Sequence, residues 1–249
     1  MKIAATISGL PRFTKDFDLF LENISDYDQI DWFFYMWNDF EENLGYIPPW
    51  MKNLDNWNED SVRKKIESLL PAKHNVVYLK IVDHPAYTEK ESLNLSPWSN
   101  APNIWFMHHG HKMVNQARLD YEKDHGPYDM IMRARTDVEI YPRINLRSCY
   151  EFIQSYPRSL ITPANFRYGL QGKGISESFC LGTGETINIY SQIVDKLFEY
   201  NDQGVIYHPE TLSAHHMYLN RIDLPMTNFQ IRFRHYKTPN GTQDFGRWN

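Results

Sequence analysis

The chain has 249 residues, 42% of them hydrophobic, with a net charge of −5. That length gives one large domain or two small ones with a sizeable core, and the ordinary balance of apolar and charged residues excludes intrinsic disorder. The negative charge and a pI near 6.1 exclude a protein whose main grip is on a phosphate backbone, although a local basic cleft stays open. Two cysteines, Cys149 and Cys180, cannot build a disulfide framework or a thiolate zinc site. The apolar run Met1–Ile7 is short for a signal peptide and Pro11-Arg12 soon interrupts it; no run reaches the ~18 apolar residues of a membrane span. The expectation is a single cytoplasmic domain over 1–249, with a nucleotide-binding half to about residue 140 and an acceptor-binding half after it.

In chain order, Ile3–Ile7 reads as a buried first strand ending in the turn Ser8-Gly9-Leu10-Pro11. A helix follows, with Thr14 as N-cap and Phe17, Phe20, Leu21 and Ile24 on one face. Trp32–Met36 is an aromatic second strand, and Trp37–Asn58, with Gly45, Pro48 and Pro49, reads as a long functional loop. Asp60–Leu70 is helical and Val76–Val82 is a third strand. After a second loop, Asp83–Pro102, the longest helix runs from about Asn103 to Lys123, with Ile104, Met107, His111, Val114, Ala117 and Tyr121 along one stripe. Tyr128–Ala134 is the fourth strand; Leu160–Thr162 and Phe179–Leu181 are short ones. Helices are predicted over about Glu185–Tyr200 and Pro209–Asn220, with a last strand at Phe229–Phe233. Strands alternating with helices through the first half predict an α/β fold with a mostly parallel central sheet flanked by helices.

The segment Met130-Ile131-Met132-Arg133-Ala134-Arg135-Thr136-Asp137-Val138-Glu139 begins apolar and ends charged. In an extended chain Arg133, Arg135, Asp137 and Glu139 share one face, so the strand runs out of the core into a polar cleft, where open α/β sheets bind ligands. Carboxylates at Asp137 and Glu139 suit Mg²⁺ or Mn²⁺ together with substrate phosphates, and such an ion neutralises charge on a departing nucleoside diphosphate. Arg133 and Arg135 can grip phosphate with their planar forks. The same pattern also suits an exposed strand whose Arg and acidic residues pair across its face.

Five segments carry a resemblance. Ile7-Ser8-Gly9-Leu10-Pro11-Arg12, Asp31-Trp32-Phe33-Phe34-Tyr35-Met36-Trp37, Tyr128-Asp129 through Asp137, Ser176-Glu177-Ser178-Phe179-Cys180-Leu181-Gly182 and His208-Pro209-Glu210-Thr211-Leu212 stand in order from about residue 3 to 235. Together they resemble a group of bacterial and viral glycosyltransferase-like proteins with an Ile-Ser-Gly-x-x-Arg opening and an Arg-x-Arg-x-Asp segment. The resemblance implies a GT-A-like fold, a nucleoside-diphosphate-sugar donor, a hydroxyl acceptor and a metal at Asp137 and Glu139. The chain departs from that pattern in having Glu139 and Glu177 where the group has aspartates, and in a leucine, Leu212, one residue early.

Other candidates have alternative readings. Ser8, Gly9 and Arg12 can meet a phosphate or base at a helix start, or simply turn the chain. Glu177 can act as a base on an acceptor hydroxyl, orient a sugar, or be a surface carboxylate. Glu210, just after Pro209, suits catalysis or the first helical turn, and His215 or His216 can complete a metal shell or pack in the core. His108 and His111 stand at i and i+3, but no Glu accompanies them in a His-Glu-x-x-His arrangement, so they read as a helix packed beside the cleft. The acceptor is expected to enter by Trp98 and Glu177. Two further functions stay open. One is a phage-type enzyme glycosylating hydroxymethylated or hydroxylated cytosine in DNA, its rim drawn from Arg143, Arg147, Arg158, Arg167, Lys173, Arg232, Arg234 and Lys237. The other is a non-catalytic carbohydrate-binding protein.

Overall fold

The computed structural model describes residues 1–11, 15–24, 29–38, 59–88, 90, 92–96, 99–164, 174–225, 227–232, 237–238 and 241–242. Its centre is a five-stranded sheet in the order β3-β2-β1-β4-β6. The strands are β1 (Ile3–Gly9), β2 (Ile30–Trp37), β3 (Asn75–Val82), β4 (Met130–Ala134) and β6 (Phe179–Gly182). β1 to β4 run parallel and β6 runs antiparallel to β4. Helices α1 (Lys15–Ile24), α2 (Glu59–Leu69), α3 (Ala101–His125), α4 (Leu146–Ser155), α5 (Gly184–Ser191), α6 (Leu197–Asp202) and α7 (Pro209–Leu219) flank it, and a short pair, β5 (Glu139–Tyr141) with β7 (Gln230–Arg232), lies outside it.

Alternation along each strand explains the two cores. Ile3, Ala5 and Ile7 of β1, Trp32, Phe34 and Met36 of β2, and Met130, Met132 and Ala134 of β4 face one way, against Phe17 and Phe20 of α1, Val62 and Ile66 of α2, and Leu146 and Ile153 of α4. Phe17 and Phe20 meet the Trp32 ring edge-on at 6.0 and 6.4 Å, a favoured aromatic geometry. Ala4, Phe33, Tyr35, Ile131 and Cys180 face the other way, against Val114 of α3, Ile187 and Tyr190 of α5, and Ala214 and Met217 of α7. Being covered on both sides, β1, β2 and β4 are buried along nearly their whole length and mostly apolar, with Asp31 and Arg133 as charged exceptions.

α3 starts where Asn100 caps it, accepting from the Asn103 amide at 3.0 Å, with Pro102 in the first turn, and it ends at Gly126, whose φ is 75°. Its buried stripe, Ala101, Ile104, His108, His111, Asn115 and Arg118, recurs every three or four residues. The helix lies close on β1: a Cβ at Gly110 would stand 3.1 Å from the Ser8 Cβ. Because α3 returns the chain from β3 at one edge to β4 beside β1, the strand order reverses between β1 and β4, and a crevice opens at their carboxyl ends.

Several expectations need correcting. β4 stops at Ala134, Thr136 and Asp137 form a turn, and β5 begins at Glu139, so Arg133, Arg135, Asp137 and Glu139 do not share one strand face. The helix over 185–200 is broken into α5, a 3-10 turn at Gln192–Asp195, and α6. Leu160–Thr162 makes only an isolated bridge, Ile161 to Leu181, rather than a strand. Helix α4, capped by Asn145, stands where the second half reads as irregular. Thr14 and most of the predicted loop 37–58 lie outside the described residues. Among the described residues no helix is long and apolar enough to cross a membrane.

Candidate functional site

The crevice between β1 and β4 is built from two chain turns. β1 ends at Gly9, whose φ of 117° suits a residue without a Cβ. The Thr136 hydroxyl donates to the Leu10 carbonyl at 3.2 Å, tying the turn after β4 to the turn after β1. Arg135 then clamps Asp137, Nε to Oδ1 at 2.8 Å and Nη2 to Oδ2 at 2.7 Å, a bidentate pair whose carboxylate is buried while the guanidinium keeps some exposure. Pairing between Arg and Asp is therefore realised, within one turn rather than across a strand face. Ser8 is buried on the α3 face, Glu139 is buried at the start of β5, and Arg12 lies outside the described residues.

Arg133 is the surprise of this segment. It sits in mid-sheet, aligned between Thr6 of β1 and Cys180 of β6, and only 3% exposed. On that face its guanidinium contacts His111 Nε2, while its Nε and Nη1 have no protein partner. Around it stand His108, 0% exposed with both ring nitrogens unpartnered, His111, whose Nδ1 is unpartnered, and Glu177. Burial, with help from Arg133, holds His108 at about 3 and His111 well below the usual histidine range, so both rings are neutral.

Glu177 is reached by the buried segment 174–178 leading into β6. The Ile175 amide donates to the Glu210 carbonyl at 3.2 Å, which fastens this segment to the start of α7. Tyr190 of α5 and Ser213 of α7 both donate to the Glu177 carboxylate. Burial pushes Glu177 up to about 6, against the pull of Arg133 and of those two donors. The segment is thus a structured wall, with Glu177 4% exposed rather than on the surface.

Glu210 stands in the first turn of α7, where the helix dipole favours its charge. Burial is nevertheless the larger influence and, with the nearby Glu177 charge, pushes Glu210 up to about 7, Arg135 opposing. His208 Nδ1 lies 3.1 Å from its Oε2, and burial holds His208 down, so near pH 7 a neutral imidazole faces a carboxyl group that is about half ionised. Both residues line a cleft of about 690 Å³ with Ser96, Ser99, Asn100, Asn103 and Thr211, over an apolar floor that includes Ile104 and Met107. A carboxyl group titrating near neutrality at such a cleft is suited to proton transfer.

The structure brings Glu177, Glu210 and Arg135 within electrostatic reach of one another. It does not gather Asp137, Glu139 and His215 as one metal shell: His215 packs on the Tyr200 ring at 4.9 Å, and His216 is held by Tyr200 and the Ile189 carbonyl. The group that does assemble among the described residues is His108, His111 and Glu177, whose ligand atoms lie within 4.8 Å of one another. Its sequence signal was the i, i+3 spacing of the two histidines on a buried stripe; the third member comes from a distant segment. Asp31, which leads one of the resembling motifs, sits at the opposite end of the sheet, accepting from Tyr128 at 2.8 Å and Asn75 at 3.0 Å. Of the basic rim, Arg143, Arg147 and Arg158 are exposed, and Arg158 is paired with Glu185 at 2.8 Å. Trp98, Arg167, Lys173 and Arg234, with the side chains of Arg232 and Lys237, lie outside the described residues. No family model matches this chain, and a comparison with curated proteins found no match.

Proposed function

We propose that this chain is a metal-dependent glycosyltransferase that moves a sugar from a nucleoside-diphosphate donor to a hydroxyl acceptor, on a GT-A-like arrangement of the sheet. The observation that carries the reading is Glu210, which lines the cleft and feels Arg135 in the turn just beyond β4. A carboxyl group raised to about 7 therefore stands at the cleft within electrostatic reach of the crevice. The donor lies across the carboxyl ends of β1 and β4, its diphosphate drawn to Arg135. An acceptor hydroxyl in the cleft gives its proton to the Glu210 carboxylate as its oxygen bonds to the anomeric carbon, and the nucleoside diphosphate leaves with the bonding pair. Glu177, held by Tyr190 and Ser213, keeps negative charge beside Glu210 and raises its basicity.

The carboxylates of Asp137 and Glu139 have the right chemistry for a divalent ion, but the fit is partial, because Arg135 already occupies both oxygens of Asp137. An ion held there supplies charge neutralisation on the leaving diphosphate. The cleft sets a few amides and hydroxyls over a larger apolar surface, and among its described lining residues no Lys or Arg appears, which favours a carbohydrate acceptor over DNA.

A thermal-shift screen of nucleoside diphosphates and sugar nucleotides, with and without Mn²⁺, tests the reading. A ligand at a hundred times its Kd adds about 2.7 kcal/mol of stability. Metal-assisted stabilisation by one nucleotide class is expected, weakened in Asp137→Ala and kept in Glu210→Gln, which should bind donor but fail to transfer. A folded wild type that no nucleotide stabilises refutes it, leaving a carbohydrate-binding protein as the better account.

A further inference from the structure

We infer that His108, His111 and Glu177 form a second metal site, one for a Zn²⁺-class ion, buried beneath the α3-covered face of the sheet and separate from the carboxylates of Asp137 and Glu139. The three ligand atoms lie within 4.8 Å of one another, a spread that a small inward movement closes onto one ion. His108 and His111 stand one helical turn apart, with ring centroids 5.5 Å apart and planes at 90°, so their nitrogens can converge from two directions. Both nitrogens of His108 and Nδ1 of His111 are buried without a protein partner, an arrangement native interiors rarely tolerate. Their donor set, two imidazoles and one carboxylate, selects a borderline transition ion over Mg²⁺, and it matches three-ligand zinc sites that leave a fourth position open. Outside it, Tyr190 and Ser213 hold the Glu177 carboxylate, as outer partners orient metal ligands elsewhere.

Arg133 is the ion's competitor. Its guanidinium donates to His111 Nε2, so the proton of that neutral ring sits on Nδ1. A metal on His111 has to displace either that proton or the guanidinium. Glu177 offsets only one of the positive charges that an ion and Arg133 would bring together, so the site binds less tightly than the same three ligands would without an arginine beside them.

The test uses the whole chain, stripped with a chelator and dialysed against Zn²⁺, with bound metal counted by mass spectrometry. Co²⁺ loading, read from its visible absorption, reports nitrogen and oxygen coordination independently. A tightly held ion is expected in wild type and is kept in Asp137→Ala, whatever binds at the Asp137 and Glu139 carboxylates, with affinity at least tenfold weaker in His108→Leu and in the isosteric Glu177→Gln. Arg133→Met should bind at least as tightly as wild type. Circular dichroism checks that each variant is folded, and Glu177→Gln decides the matter if His108→Leu is not. Wild type without stoichiometric Zn²⁺, binding unchanged in Glu177→Gln, or loss in Asp137→Ala would each overturn the assignment. Nucleotide binding is a separate readout, so failure here leaves the donor-site reading standing.

Discussion

Glu210→Gln isolates the carboxyl group on which the proposed chemistry depends. Burial and the Glu177 charge raise the folded-state pKa of Glu210 from an ordinary 4.5 to about 7. A carboxyl whose pKa is raised on folding contributes stability that is present below its unfolded pKa and lost as pH rises through its folded pKa. Ionised Glu210 therefore opposes folding, increasingly from pH 4.5 to 7 and fully above that. A shift of this size is worth about 3 kcal/mol at pH 8 and under about 1 kcal/mol at pH 5. Glutamine keeps the shape and cannot ionise, so Glu210→Gln should exceed wild type in stability by those amounts. Urea unfolding at pH 5, 6.5 and 8, with the slope checked for constancy, measures it. A gain that does not grow with pH, or a variant less stable than wild type at pH 8, would show that Glu210 ionises freely, and the general-base argument would fail with it. Transfer by wild type should rise through pH 7 as Glu210 becomes a base.

Three further outcomes follow from the packing. Gly110→Ala puts a Cβ 3.1 Å from Ser8 Cβ and 3.4 Å from Trp37 Cζ2, both on central strands. Overpacking of about 1–3 kcal/mol should outweigh the roughly 1 kcal/mol that alanine adds to a helix, giving a net loss in chemical denaturation. Arg118, 1% exposed in its side chain, is paired with Glu122 at 2.6 Å and donates to Asn115, so Arg118→Met should cost about 3–5 kcal/mol, read as a fall in Tm. His108→Leu, measured metal-free, should be neutral or stabilising by about 1–3 kcal/mol, because it removes two buried nitrogens without partners; a clear loss would mean that the imidazole is satisfied in solution.

Much of the fold was legible because the information is local. The strands β1, β2 and β4 are apolar runs of the right length, α3 carries a helical stripe with a proline-bearing start and a glycine stop, and their alternation implies a parallel sheet. Short elements were harder. α4 is ten residues, and both its cap, Asn145, and the helical spacing of Leu146, Cys149, Tyr150 and Ile153 were there to be read in a stretch short enough to pass for irregular. The break at Gln192–Asp195 follows from tertiary packing: Ile193 is fully buried in a small cluster with Leu197, Tyr207 and Leu212, which a straight helix need not achieve. The site was legible by residue type more than by geometry. Arg135 and Asp137 do meet, but a two-residue period holds only while the chain is extended, and the turn at Thr136 ends it.

The distribution of buried polar groups bears on why the molecule keeps them. On the α1-covered face of the sheet the core is mostly apolar, with the buried His74 accepting from Trp32 Nε1 at 3.2 Å, so the chain is able to build a nearly dry core. On the α3-covered face, Arg133, His108, His111 and Glu177 are buried together; several nitrogens of the arginine and the two histidines have no protein partner, while Glu177 is held by Tyr190 and Ser213. Replacing such groups by apolar ones is often neutral or stabilising, so fold stability alone does not account for the cluster. Arg133 is aligned with Thr6 and Cys180 at the heart of the sheet, whereas Arg135, two residues on, stands in the turn beyond its end. The same short segment therefore serves two places at once, Arg133 facing the imidazoles beneath α3 and Arg135 facing the crevice at the end of β4. Glu177 joins them, because it feels both arginines and raises Glu210 in turn. Neutralising the Glu177 carboxylate would lower the basicity of Glu210, which gives that one residue of the buried cluster a physical route to the cleft.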